Sequence, residues 1–143
     1  MKDDTSIRQQ CRGTYTRGNI IIRNFRTCNA DVKCQLFQSY CTSFYCTSLW
    51  SSYNVDTLER LKVAYNRTFR ILMGLHHRSS MSENFIRRGL NPFKVVIRKL
   101  TFSFRNRVLR SDNCLLKTIV DSLHFMFSKL TRKWNATVLN LRQ

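Results

Sequence analysis

The pattern of hydrophobic and polar positions predicts helices from one end of the chain to the other. Over residues 3–26, apolar or small residues recur at alternating steps of three and four, as on one face of a helix. The same spacing predicts helices over 58–72, 83–88, 92–110 and 116–130. Tight turns favour Pro and Gly, and the chain of 143 residues has only one Pro and four Gly. We therefore expect an all-α fold, a small bundle of about five helices.

The stretch Val32–Trp50 is predicted to be the central helix of this bundle. No charged residue occurs from Cys34 to Val55, and apolar side chains cover most of the helix circumference. A helix that is apolar nearly all round belongs in a core or a membrane. Its Gln, Ser and Thr content is too high for a span of about 20 apolar residues. The apolar positions expected in the core are Leu36, Phe37, Tyr40, Cys41, Phe44 and Leu49, with Tyr45 and Cys46 widening the arc.

Local sequence signals place several helix ends. Asn29 or Asp31 is suited to cap the central helix, and Ser82 the short helix that follows. The run Asp56–Glu59 has the spacing of a capping box at the start of the next long helix. Gly74 is suited to end that helix in a left-handed conformation.

The first helix carries two further signals. Asp3 and Asp4 stand where a negative charge complements a helix N-terminus. Gly18 lies in mid-helix at a cost of about 1 kcal/mol relative to Ala. It therefore indicates either a close approach by another element or a break in the helix.

The charge of the chain favours an anionic partner. Lys and Arg number 25 against 8 Asp and Glu, a net charge of +17. Nucleic acid is the leading partner class and an anionic membrane surface the second. Six Cys occur without a secretory signal at the start, so they are expected to be reduced thiols of an intracellular protein, nuclear or cytoplasmic.

Catalytic motifs are missing from the sequence. There is no Gly-rich phosphate loop, Cys-x-x-Cys pair or nucleophile elbow. The Asp3-Asp4 pair lacks the apolar strands of a two-metal site, and helix capping explains it better. Cys34 and Cys41 with His76-His77 match no zinc spacing and are interpreted as buried thiols and solvated histidines. We expect no catalytic activity by the chain itself, no metal, no cofactor and no small-molecule ligand.

Basic residues fall in helical phase on the helix that follows Pro92. Lys94, Arg98 and Arg105 share one side of it, and few acids are near in sequence to pair with them. Such residues contact phosphates without reading sequence, although a solvated basic face is the simpler alternative. Most aromatic residues, including Tyr65 and Phe69, are assigned to the core. The candidate nucleic-acid-binding residues are Arg67, Arg70, Lys94, Arg98, Lys99, Arg105, Arg107 and Arg110.

An ordered series of sequence blocks resembles the region that follows the polymerase core in non-LTR (LINE-type) retrotransposon reverse transcriptases, most of all the CR1, Jockey or RTE-like elements. The similarity covers almost the whole chain, and its specificity lies in the order of the blocks. In order, the blocks are Ile7–Gln10 with Tyr15 and Gly18-Asn19; Arg23-Asn24-Phe25 with Cys28, Asp31–Lys33 and Leu36-Phe37; Tyr40-Cys41, Tyr45 and Leu49-Trp50; Leu58, Leu61, Val63–Asn66 and Arg70; Ser80 and Phe85; Arg98–Leu100, Phe104, Arg107 and Ser111–Asn113; and the tail around Trp134.

The resemblance implies a helical thumb and the segment C-terminal to it. Such a region grips the RNA template and the growing DNA strand beside the catalytic palm. The palm, with its Tyr-x-Asp-Asp ligands for Mg²⁺, and the endonuclease would lie upstream of Met1. Arg23-Asn24-Phe25 departs mildly from the usual Arg-Lys-Phe. The domain division that we expect is a thumb-like unit over residues 1–110, followed by a C-terminal helix and basic tail over 111–143.

Two functions follow as hypotheses. The first is a module that binds RNA or an RNA–DNA hybrid through phosphate contacts. The alternative is an interaction fragment with no nucleic-acid function of its own, which folds against a partner such as the palm of the same polyprotein. Membrane binding ranks below both, and we expect no membrane partner.

Overall fold

The computed structural model describes residues 3–139, and these form helices joined by short connections. This part of the chain contains no strand, so the predicted all-α fold is confirmed. A 3₁₀ helix, Thr47–Leu49, lies between the second and third α-helices. The α-helices are α1 Asp4–Asn24, α2 Ala30–Cys41, α3 Val55–Leu72, α4 Met81–Arg87, α5 Phe93–Leu109, α6 Cys114–Val120, α7 Leu123–Met126 and α8 Lys129–Leu139.

The most extensive helix contact joins α1 and α3. Gly18 makes their close approach feasible, because a Cβ at this position would lie 2.2 Å from Thr68 Cγ2. Thr68 is itself buried on α3. Gly18 therefore marks a helix crossing, and α1 continues through it to Asn24 without a break.

An aromatic cluster fills the core between α2, α3 and α4. The Phe37 ring centroid lies 4.9 Å from that of Tyr65 and 4.9 Å from that of Phe69. Phe85 of α4 closes the cluster, 4.6 Å from Phe69. The Tyr65 hydroxyl donates a hydrogen bond to the Asn91 carbonyl at 2.8 Å, so its buried polar atom is paired.

The predicted central helix over Val32–Trp50 is wrong in its second half, since α2 ends at Cys41. The Thr42 hydroxyl donates to the Gln38 carbonyl, and the Ser43 hydroxyl bonds to a carbonyl one turn back. Hydroxyl groups that bind these carbonyls satisfy the end of a helix and compete with its continuation. Cys46 then adopts a left-handed conformation with φ 60°, which reverses the chain before the 3₁₀ helix.

This early end changes which side chains reach the core. Phe44 is buried as predicted, 5% exposed, against Tyr65 and Phe93. Tyr40 and Tyr45 are 55% and 68% exposed, so their assignment to the apolar core face was wrong. Leu49, also expected in the core, is 48% exposed.

Other predicted helix ends hold with small shifts. Asn29 caps α2 as expected, its side chain accepting a bond from Val32 N at 2.9 Å. Gly74 follows α3 with φ +61°, as a helix-ending glycine does. The cap of α4 is Ser80, two residues before the predicted Ser82.

The capping box predicted at Asp56–Glu59 does not form. Helix α3 already begins at Val55, and Glu59 pairs with Lys62 at 2.8 Å instead of reaching back to the helix start. The entry into α3 is held from α1, because Asn54 N donates to Asp4 Oδ1 at 3.0 Å. Asp3, expected to cap α1, makes no side-chain cap bond to it. Its Oδ2 instead accepts from Ser51 N and Ser52 N at 2.9 Å, so both acids at the start of α1 hold this loop.

The single last helix predicted over residues 116–130 is three short helices. The Ser122 hydroxyl accepts from Phe125 N at 3.2 Å and Ser128 from Thr131 N at 3.1 Å, so each serine caps a new helix. Residues 129–134 of the expected basic tail belong to α8, and its last residues, 140–143, lie outside the described part of the chain. Its Trp134 is 2% exposed and donates its indole N–H to the Ser48 carbonyl, docking α8 on α5 and the 3₁₀ helix.

Candidate nucleic-acid interface

Helix α5 carries most of the candidate residues, and its apolar side sets their orientation. Pro92 precedes its first turn, where the missing N–H of proline costs no helical hydrogen bond. Phe93, Val96 and Thr101 are buried toward the bundle and α8. The remaining circumference of α5 is therefore available for charged side chains.

Three candidates form what we call the α5 basic face: Lys94, Arg98 and Arg105. At 3.6 residues per turn they fall within about 40° of arc and span about 17 Å along the helix. Lys94 is exposed, whereas Arg98 and Arg105 are half-buried. A row of cations on one side of a helix follows a phosphate backbone more easily than cations scattered over a surface.

Two exposed apolar side chains lie on the same side of α5. Phe102 follows Arg98 by one turn and is 50% exposed, and Leu109 follows Arg105 by one turn and is 42% exposed. Proteins that bind single-stranded nucleic acid stack its bases on exposed aromatic rings that lie beside cations. Phe102 was not predicted from the sequence, because most aromatic residues were assigned to buried faces, although Phe102 follows Arg98 at the spacing of one helical turn.

The other candidates on α5 lie elsewhere on its circumference, between about 140° and 220° round from Lys94. Lys99 donates its Nζ to Asn91 Oδ1 at 3.0 Å. The Arg107 guanidinium lies 5.8 Å from the Phe104 ring centroid, and Arg110 caps the helix end. The structure thus separates the α5 candidates into two groups on different sides of one helix.

Arg67 and Arg70 belong to α3. Arg67 is exposed, but the Nε atom of Arg70 is buried with no hydrogen-bond partner. Part of the Arg70 guanidinium is therefore enclosed by protein, which limits its reach to an external phosphate.

Three ion pairs join acidic side chains to cations other than the candidate residues. They are Glu59 with Lys62, Glu83 with Arg87 and Asp112 with Lys117. With 8 acids against 25 Lys and Arg, the chain keeps a large unneutralised positive charge. Such a surface attracts polyanions in a salt-dependent way.

The cysteines and histidines do not assemble into a site within residues 3–139. No cluster of three or more His, Cys, Asp or Glu side chains suited to a metal occurs there. All six cysteines are free. Burial raises the pKa of Cys41 to about 11, with Arg17 opposing the shift, and burial also raises the pKa of Cys34. These two thiols are therefore protonated at neutral pH.

No helix in the described residues is both long and apolar enough to cross a membrane. Comparison with known proteins adds no family assignment: the chain matches no protein-family model, no curated protein and no solved structure. The resemblance to reverse transcriptases therefore stays a prediction drawn from the sequence blocks.

Proposed function

We propose that this chain is a nucleic-acid-binding helical module, the thumb and adjoining segment of a non-LTR reverse transcriptase. It grips template RNA and nascent DNA through phosphate contacts on the α5 basic face. The observation that carries the proposal is the alignment of Lys94, Arg98 and Arg105 on one side of α5, in a chain of net charge +17. The exposed ring of Phe102, one turn from Arg98, supports stacking on an unpaired base beside these cations.

Catalysis and Mg²⁺ binding belong in this proposal to a separate palm. The purified chain should extend no primer, with or without Mg²⁺. Metal-dependent nucleotide incorporation above a blank would contradict this part of the proposal.

The test compares two triple substitutions on one helix. Lys94→Gln/Arg98→Gln/Arg105→Gln removes the α5 basic face, and Lys99→Gln/Arg107→Gln/Arg110→Gln removes the same charge from the other side. By fluorescence anisotropy on an RNA–DNA hybrid, the first variant should bind at least about tenfold more weakly than the second. Equal losses would mean that diffuse charge attraction, rather than the α5 basic face, holds the nucleic acid. Thermal melts of both variants serve as the folding control.

A second candidate function rests on apolar side chains of the C-terminal helices. Leu115, Leu123 and Phe127 are 70–72% exposed, and Ile119 and Met126 are more than half exposed. Exposed apolar groups in this number are typical of an interface. They favour the alternative that the chain folds fully only against a partner domain.

Hydrogen exchange on the isolated chain separates the two candidates. The binding-module proposal expects strong protection of α2 and a cooperative melt without any partner. Rapid exchange throughout α2 would favour the interaction fragment.

A further inference from the structure

A groove opens where α1 and α3 end and α2 begins. Its volume is about 640 Å³, within the usual range for sites that hold a small molecule. Apolar side chains form much of its lining: Ile22 of α1, Ile71 and Leu72 at the end of α3, and Met73 beyond it. Leu72 belongs to the core, while Ile71 is 53% exposed. The groove therefore offers an apolar surface that a flat ring can cover.

Three cations stand around this apolar surface: Arg23, Arg26 and Lys33. No acidic side chain lines the groove. Within residues 3–139, none of the three appears in an ion pair or a side-chain hydrogen bond. Asp31, two residues before Lys33, lies about 200° away round α2. The residues that the structure describes therefore leave the positive charge of the groove unneutralised.

The helix ends explain only one of these cations. Arg23 lies in the last turn of α1, where a positive charge complements the helix dipole. Lys33 lies near the start of α2, where a positive charge is unfavourable. An anion bound between Lys33 and the two arginines would offset this local cost. The arrangement thus favours a ligand with concentrated negative charge.

We propose that this groove binds a nucleoside 5′-phosphate, either as a free nucleotide or as the phosphorylated end of a single strand. The phosphate lies between Arg23, Arg26 and Lys33, and the base covers Ile71 and Met73. A phosphate carries about two negative charges and several strong acceptors at one point, which suits three cations that line one groove better than the single charge of a carboxylate. The groove shares no residue with the α5 basic face. An experiment can therefore refute nucleotide binding by the groove without refuting nucleic-acid binding by α5, and the reverse.

The first test is calorimetric titration of the full chain with adenosine 5′-monophosphate. Arg23→Gln/Arg26→Gln/Lys33→Gln should weaken binding about tenfold or more. The matched control, Arg8→Gln/Arg12→Gln/Arg60→Gln, removes the same charge from exposed positions of α1 and α3 outside the groove and should change the affinity less than about twofold. Absence of saturable binding, or an equal loss in both variants, would overturn the proposal.

A second variant tests the apolar part of the site without touching its charge. Ile71→Ser replaces an exposed side chain and should weaken nucleotide binding severalfold while leaving binding of inorganic phosphate unchanged. Equal affinity for phosphate and nucleotide, or tighter binding of a tetraglutamate peptide, would also overturn the proposal.

The two sources of the ligand are separated by a short oligonucleotide with and without a 5′-phosphate. A gain in affinity from the 5′-phosphate that disappears in Arg23→Gln/Arg26→Gln/Lys33→Gln assigns the groove to strand ends. Equal binding of the two strands, with the mononucleotide still bound, assigns it to free nucleotides.

Discussion

The sharpest test of the fold is a pair of substitutions on α2, Phe37→Ala and Tyr40→Ala. The hydrophobic pattern assigns both rings to the core, but Phe37 is 0% exposed and Tyr40 is 55% exposed. Phe37 contacts three aromatic rings, with centroids 4.9 to 6.3 Å away. Truncation of a fully buried Phe removes its transfer free energy and leaves a cavity, a loss of about 3–5 kcal/mol.

Urea unfolding followed by far-UV circular dichroism measures this difference. At about 3 °C per kcal/mol for a chain of this length, Phe37→Ala should also melt roughly 10–15 °C lower. Tyr40→Ala should change the free energy of unfolding by no more than about 0.5 kcal/mol. Similar losses in the two variants would refute the placement of α2, because Tyr40 would then have to be buried as well.

Three further substitutions test particular contacts. Gly18→Ala should lower the free energy of unfolding in urea by about 1–3 kcal/mol, since its Cβ would lie 2.2 Å from Thr68 Cγ2. Adding Thr68→Ala should recover most of this loss, and losses that simply add in the double variant would contradict the crossing of α1 and α3. Burial raises the pKa of Cys41 from 9.0 to about 11, so the unfolded chain loses this proton first and stability should fall by roughly 3 kcal/mol from about pH 9 to 11. In Cys41→Ala this fall in stability between about pH 9 and 11 should vanish. The same pH profile in the variant and the unmodified chain would contradict the burial of the Cys41 thiol. Trp134→Ala should cost about 3–5 kcal/mol and speed proteolysis within 111–139, whereas an unaltered melt would show that α8 is not docked.

Local signals were sufficient for much of the fold. Asn29 and Gly74 mark helix ends through side-chain capping and a left-handed backbone, both of which depend on neighbouring residues only. The phasing of Lys94, Arg98 and Arg105 follows from helical geometry alone once α5 is assigned. These features were predictable because no distant contact decides them.

Competing hydroxyl groups explain the missed helix ends. Apolar periodicity continues past Cys41 and past Val120, but Thr42 and Ser122 bind backbone groups at these points and end the helices. Serine and threonine are compatible with a helix interior and with its end, so the pattern of apolar residues does not distinguish them.

Features built from distant segments were beyond sequence reasoning. The basic groove needs the ends of α1, α2 and α3 to meet, which brings Arg23 and Lys33 beside Met73. The exposure of Tyr40 likewise depends on where neighbouring helices stop covering α2. Periodicity defines an apolar arc, but only tertiary packing shows how much of it is covered.

The measurement that tests the central claim most directly is the salt dependence of binding to an RNA–DNA hybrid. Each phosphate contact contributes about 0.7 to 0.9 to the slope of log affinity against log salt. Replacement of Lys94, Arg98 and Arg105 by Gln should therefore lower the magnitude of that slope by about 2 to 3. A slope unchanged by the triple substitution, or affinity insensitive to salt in the unmodified chain, would contradict phosphate binding by the α5 basic face.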